Sequence, residues 1–255
     1  MKFCVLASGS GGNATWIEEG DCACLVDNGL SFSEFKNRIK TAGLDLSLLR
    51  AVFVTHEHGD HLNGVGPLAR GLNIPVYASP MLLEVKGDTL CGVDCRPISF
   101  WEIRKLGDLA LQAVPSSHDT VDPFVFLASG GGKRLGIVTD LGCVSPQLRR
   151  CFNRLDSLIL EFNHDEEMLK NGPYPPFLKK RILGPKGHLS NKTAAAFLSV
   201  LNHQDLKNVV VAHISKHNNT PDLAEEAALS SVRNGPGNPR VHVADQFVPT
   251  AVLEI

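Results

Sequence analysis

Ala51-Val52-Phe53-Val54-Thr55-His56-Glu57-His58-Gly59-Asp60-His61 is the stretch on which the reading of this chain turns. Its first five residues make an apolar, β-branched run suited to a strand. The next six gather four side chains that can ligate metal. His56 and His58 lie two apart on extended backbone, so their rings point the same way. Asp60 and His61 open a helix and can be aimed back at the same space. Imidazole and carboxylate suit zinc, manganese and iron. Four ligands this close crowd a single ion, and two neighbouring ions accommodate them better. A hydrolytic metalloenzyme is the expectation.

Reading outward, three more candidates stand just past apolar runs. His118 follows Leu111-Gln112-Ala113-Val114, Asp140 follows Ile137-Val138-Thr139, and His213 follows Val209-Val210-Val211-Ala212. Loops leaving one edge of a sheet are where active sites are built. Any one of these histidines alone reads as a hydrogen-bonded structural residue, but scattered histidines have no reason to favour strand exits.

With 255 residues, 43% of them hydrophobic, the chain is expected to bury its core in one α/β domain spanning 1–255. Strands are expected near 3–7, 14–17, 22–26, 51–55, 75–77, 108–115, 123–128, 134–139, 158–160, 209–211, 240–243 and 248–253. Helices are expected after Ser31, Ser79 and Ser145, and over 191–201 and 221–232. The opening apolar run ends at Ser8-Gly9-Ser10-Gly11-Gly12-Asn13, too short for a signal peptide or membrane span, so a cytoplasmic location and no membrane partner are expected. Seven cysteines, an odd number, read as reduced thiols, the pairs Cys22 and Cys24 and Cys91 and Cys95 as buried apolar side chains in preference to metal ligands. A net charge of −2 excludes a globally basic nucleic-acid coat. One local patch remains: Lys179, Lys180, Arg181, Lys186 and Lys192, with no acid between the first and the last.

These ligand positions resemble the metallo-β-lactamase superfamily, whose His-x-His-x-Asp-His signature is followed by a lone His, a lone Asp and a late His. The resemblance implies a four-layer αββα sandwich of two mixed β-sheets covered by helices. It also implies two divalent metal ions, Zn, Mn or Fe. It assigns His56, His58 and His118 to one ion, Asp60, His61 and His213 to the other, and Asp140 to the bridge. Asp27, after the third strand, then orients the cluster from behind.

Particular positions separate the branches. β-Lactamases of the common class carry cysteine where Asp140 stands, and Cys143 is three residues too late. The oxygen-reducing di-iron branch carries glutamate in place of His58. Gly187-His188-Leu189-Ser190, ahead of a helix, resembles the histidine that ribonuclease Z-type nucleases set near the scissile phosphate. Leu6 to Asn13, Glu161-Phe162-Asn163-His164-Asp165 and His213-Ile214-Ser215-Lys216-His217-Asn218-Asn219 resemble the bacterial YycJ (WalJ) group, associated with DNA 5′-exonuclease activity. A hydrolase of nucleic-acid phosphodiesters is therefore expected, DNA favoured over RNA, acting through a metal-bridging hydroxide. Asp60 and His188 carry catalysis in this reading, and Glu161 braces the ligands. Ser8, Ser10 and Asn13 of the glycine loop, His164, and Lys179, Lys180 and Arg181 face substrate. Two rivals stay open: a thioester or lactone hydrolase with an apolar pocket and little salt sensitivity, and a metal-dependent binding or signalling protein. Against the last, every expected ligand position is filled.

Overall fold

The computed structural model describes residues 1–255. The first strands are β1 (Lys2–Ala7), β2 (Ala14–Glu19), β3 (Cys22–Val26), β4 (Leu49–Phe53), β5 (Val76–Ala78) and β6 (Cys95–Pro97). Then come β7 (Ile103–Leu106), β8 (Leu109–Pro115), β9 (Phe124–Gly130) and β10 (Lys133–Val138). β11 (Ser157–Glu161), β12 (Asn208–Ala212), β13 (Arg240–Val243) and β14 (Leu253–Glu254) complete the set. They form two mixed seven-stranded sheets, ordered β14-β1-β2-β3-β4-β5-β6 and β13-β12-β11-β10-β9-β8-β7. Helices flank them, as the sequence led us to expect.

Contacts divide the chain into two compact units. The first comprises Met1–Pro115, Thr120–Gly132 and Ala244–Glu254. Its helices are α1 (Phe32–Thr41), α2 (Gly59–Leu62), α3 (Val65–Leu72) and α4 (Pro80–Val85). α1 begins where expected because Ser31 accepts the Glu34 N–H, and it buries Phe35 and Ile39. Phe35 packs in a cluster with Trp16, Leu25, Val52 and Leu68, and each fully buried side chain of this kind contributes about 1.5–3 kcal/mol. Parallel pairing of β3 with β4 sets Val26 beside Phe53, so Asp27 and Thr55-His56 leave the sheet at one edge. Arg38 is also buried, donating to the Leu6 and Gln246 carbonyls and to Glu34.

The second unit holds Ser116–Asp119 and Lys133–Val243. It contains α5 (Pro146–Cys151), α6 (Glu166–Asn171), α7 (Pro176–Leu183), α8 (Asn191–Leu201) and α9 (Pro221–Val232). β10, β11 and β12 run parallel, with Val138 beside Leu160, Leu160 beside Val211 and Glu161 beside Ala212. The chain segments carrying Asp140, Glu161 and His213 therefore emerge together.

Two expectations need correction. The strand expected over 248–253 shrinks to Leu253–Glu254. Asp245 accepts the N–H groups of Phe247 and Val248 and turns the chain, and Pro249 has no N–H for a ladder. Lys179, Lys180 and Arg181 of the basic run lie on α7, a helix not among those expected, opened by Pro176 at a position where proline is tolerated, while Lys186 follows that helix and Lys192 sits in α8. All seven cysteines are free thiols; Cys4, Cys22 and Cys24 are buried, Cys91 and Cys143 exposed. No helix is long and apolar enough to cross a membrane.

Candidate metal centre

In the first unit the donor atoms are set by a carboxylate behind them. Asp27 follows β3 with φ of 60°, a left-handed conformation that aspartate tolerates better than most residues and that turns its side chain across the strand ends. Its Oδ1 accepts the Thr55 N–H at 2.8 Å, and its Oδ2 accepts the Thr55 hydroxyl and the His61 Nδ1–H, each at 2.8 Å. A histidine whose Nδ1 carries the proton presents the lone pair of Nε2. Thr55, having donated to Asp27, accepts from His56 Nδ1 at 2.9 Å, so His56 also presents Nε2. That atom lies 3.0 Å from Nδ1 of His58. Asp60, in the first turn of α2, places Oδ2 3.5 Å from Nε2 of His61. Sequence reasoning found Asp27 but missed Thr55, whose signal would have been a hydroxyl directly before the first histidine.

The glycine loop serves this cluster from one side. Asn13 is buried: its Oδ1 accepts the Gly9 N–H at 2.8 Å, and its Nδ2 lies 3.1 Å from Asp60 Oδ2 and 3.0 Å from His61 Nε2. Asn13 thus ties the loop to Asp60. Ser8 is buried as well, and of the three residues expected to face substrate only Ser10 lies exposed on the loop. Gly29 is obligatory here, because a Cβ would strike the Asp60 carbonyl.

In the second unit Glu161 is the organiser. Fully buried at the end of β11, it accepts five N–H groups. Oε2 takes His213 Nδ1 at 2.8 Å, His188 Nδ1 at 2.9 Å and the Asp140 N–H at 3.2 Å. Oε1 takes the Leu189 N–H at 2.8 Å and the Leu141 N–H at 3.5 Å. Burial alone would raise the Glu161 pKa, but the charge of His188 and the bonds from both histidines outweigh it and hold the group at about 2. For His188 burial pulls downward, and the Glu161 carboxylate reverses this to leave its pKa raised. Both histidines spend Nδ1 on Glu161 and keep Nε2 for something else. In His213 that atom is 3.6 Å from Asp140 Oδ1. His118 gives Nδ1 to the Gly187 carbonyl at 3.0 Å, with Nε2 3.8 Å from Asp140 Oδ1.

Asp140 (φ 55°) and His213 (φ 52°) share the left-handed backbone of Asp27. Such a conformation costs about 1–3 kcal/mol and persists where the surroundings over-determine it. All three stand just past parallel strands and swing a donor toward the strand ends.

Donor chemistry fits a divalent cation in both units. Asp140, Glu161, His188 and His213 each offer a ligand atom within 4.8 Å of the others. In the first unit Nε2 of His56 approaches Nδ1 of His58 to 3.0 Å, with Nδ1 of His56 already committed to Thr55. Imidazoles anchored through one nitrogen beside carboxylates are the arrangement that metal-binding histidines adopt.

Other expected residues are placed as follows. His164 is buried at 1% exposure under α8, its carbonyl accepting the Asn191 N–H, so its ring is covered rather than presented to substrate. Burial lowers its pKa. Lys179 donates to the Lys170 carbonyl at 2.7 Å, and Arg181 is ion-paired with Asp119, the neighbour of His118. Lys180, between them, is exposed on α7. Asp119 was missed because an acid beside His118 carries no sequence signal of its distant partner Arg181.

Residues 23–214 match the family model described as β-lactamase superfamily domain. The exodeoxyribonuclease YycJ of Bacillus anthracis is 31% identical over 259 residues, covering 99% of this chain and 98% of that protein. The exodeoxyribonuclease WalJ of Streptococcus pneumoniae is 34% identical over 238 residues, covering 91% and 88%. Among solved structures, Zn(2+)-bound PqqB from Methylobacterium extorquens superposes with a TM-score of 0.70 at 18% identity, over 98% of this chain and 99% of that one, a likeness of fold. With its ligand motifs, sheet order and full-length relatives in agreement, the chain belongs to the metallo-β-lactamase superfamily, alongside the YycJ and WalJ proteins.

Proposed function

We propose that residues 1–255 act as a single metallo-β-lactamase-fold domain, a two-metal phosphodiesterase that degrades nucleic acid, DNA before RNA, from the 5′ end. In this reading the family signature assigns His56, His58 and His118 to one ion, Asp60, His61 and His213 to the other, and Asp140 to both. Zn, Mn or Fe, when bound, lowers the pKa of water toward 7 and neutralises charge on phosphoryl oxygens.

The observation that carries the reading is His188. Its Nδ1 is held 2.9 Å from Glu161, its ring packs 5.3 Å from that of His213, and its side chain remains 18% exposed, so Nε2 can meet a substrate atom. A histidine whose pKa the Glu161 carboxylate raises against the pull of burial, set beside candidate metal ligands, suits a reaction that gathers negative charge on phosphorus and expels an alkoxide. It can stabilise the charged oxygens or give its proton to the departing one, an acid contribution of about 10²–10⁴-fold. Asp60, steadied by Asn13, accepts a hydrogen bond from the attacking water. The names of the full-length relatives support DNA as substrate and removal from an end.

The test is a matrix: metal-free protein reloaded with Zn, Mn or Fe and offered 5′-phosphorylated DNA, RNA, a simple phosphodiester and a thioester. DNA turnover releasing 5′ label first is expected. Turnover confined to the thioester overturns the proposal.

A further inference from the structure

We propose that a cavity of about 140 Å³ walled by Pro80, Ile98, Phe100 and Phe124 receives one unpaired base of the strand being cleaved. The inference rests on the nuclease reading and adds a base subsite to it. Phe124 is the floor, 2% exposed, and Phe100 the lip, 41% exposed. Their rings meet edge to face, centroids 5.4 Å apart at 87°, so an inserted heteroaromatic ring finds a face to stack on and an edge to pack against.

Position and polarity argue for a base over other occupants. Phe124 donates its N–H to the Thr55 carbonyl at 2.9 Å, and Val121 donates to the Glu57 carboxylate at 3.0 and 3.3 Å. Phe124 of the wall, and Val121 just before the lining residue Asp122, are thus bonded to the residues on either side of His56, which ties the cavity to the segment carrying His56 and His58. Asp122, with a left-handed φ of 39°, and Ser99 are the polar residues that line the cavity beside the apolar wall, together with Ser79. A carboxylate repels phosphate and accepts from the exocyclic amine of a base. An acyl chain has no donor for it, and the volume is that of a single ring system, too small for a long chain.

The test compares metal-loaded wild type with Phe100→Ala and Phe100→Trp on three substrates: a single-stranded oligodeoxynucleotide, the same strand abasic at its cleaved end, and a small chromogenic phosphodiester. Phe100→Ala is expected to raise KM on the normal strand roughly 5- to 100-fold. KM on the abasic strand and the small diester stays unchanged, and Phe100→Trp restores the normal value. A 2-aminopurine at the end of a non-hydrolysable strand should be quenched by wild type and brightened by Phe100→Ala. Equal KM changes on both strands, or none, with DNA still cleaved, overturn the base subsite alone. Wild-type protein that hydrolyses the small diester but neither strand overturns the nuclease reading and the subsite with it.

Discussion

Glutamine at position 161 keeps the volume of the glutamate and removes one acceptor from a group that has five donors on it. With its NH₂ toward the Oε2 side, the amide faces three of them, His188, His213 and the Asp140 N–H. Turned the other way it faces the Leu189 and Leu141 N–H groups, of which the first, at 2.8 Å, is the substantial bond. The second orientation is the cheaper. It leaves one buried N–H unsatisfied, about 1–3 kcal/mol, and downgrades two charge-assisted bonds by about 1 kcal/mol each. A loss of about 3–5 kcal/mol is expected at pH 7, the range for breaking a buried charged pair.

The pH dependence of Glu161→Gln checks the same number independently. Glu161 has its pKa depressed from an ordinary 4.5 to about 2, so its contribution is complete above 4.5 and is lost as pH falls through 2. At about 1.4 kcal/mol per pH unit that gap is worth about 3 kcal/mol. Urea unfolding of the chelator-treated proteins should show the full deficit of the variant at pH 7, narrowing as pH drops below 4.5. Competition with a chromophoric chelator should show metal affinity weakened about 10- to 100-fold, the usual cost of losing a residue behind the ligands. A deficit under 1 kcal/mol, or one that ignores pH, would refute the role assigned to Glu161.

Asp140→Ala should lose bound metal and all hydrolysis; an active variant with its full metal content by elemental analysis rejects the bridging assignment. His188→Ala should retain metal yet slow phosphodiester turnover about 10²–10⁴-fold, and an unchanged rate on DNA removes His188 from the chemistry. Lys180→Ala should reduce the salt slope of DNA binding by about one, whereas Lys179→Ala, its ammonium on the Lys170 carbonyl, should change it less. Thiol titration of the folded protein at pH 8 should register Cys91 and Cys143 first and leave Cys4 and Cys24 unreacted until denaturant is added, because burial raises Cys4 to about 11 and Cys24 well above the ordinary thiol range.

Helix starts were legible because their signals are local. Ser31, Ser79, Ser145, Ser190 and Thr220 each accept an N–H of the first turn of the helix they precede. Strands at 22–26, 208–212 and 240–243 were readable from their apolar runs. β6 and β7, of three and four residues, are too short for a period to register, and α6 and α7 lie in a stretch broken by Gly172, Pro173, Pro175 and Pro176 in which no helix was expected. Among the expected substrate contacts, Asn13 and His164 are buried, and Arg181 is paired with an acid 62 positions away. Polar residues in a motif advertise a hydrogen bond without saying to what.

The candidate ligands and the strand exits that carry them are legible in the sequence, since donor type and the alternation of apolar runs with polar termini are written residue by residue. Only the tertiary structure shows which nitrogen of His61, His188 and His213 is tied to a carboxylate and which is left for a ligand. That choice depends on Asp27 meeting His61 from 34 positions away and on Glu161 meeting His188 and His213 from 27 and 52. A proton sits on one imidazole nitrogen because an acceptor is there, and only the packing of parallel strands edge by edge brings that acceptor into place.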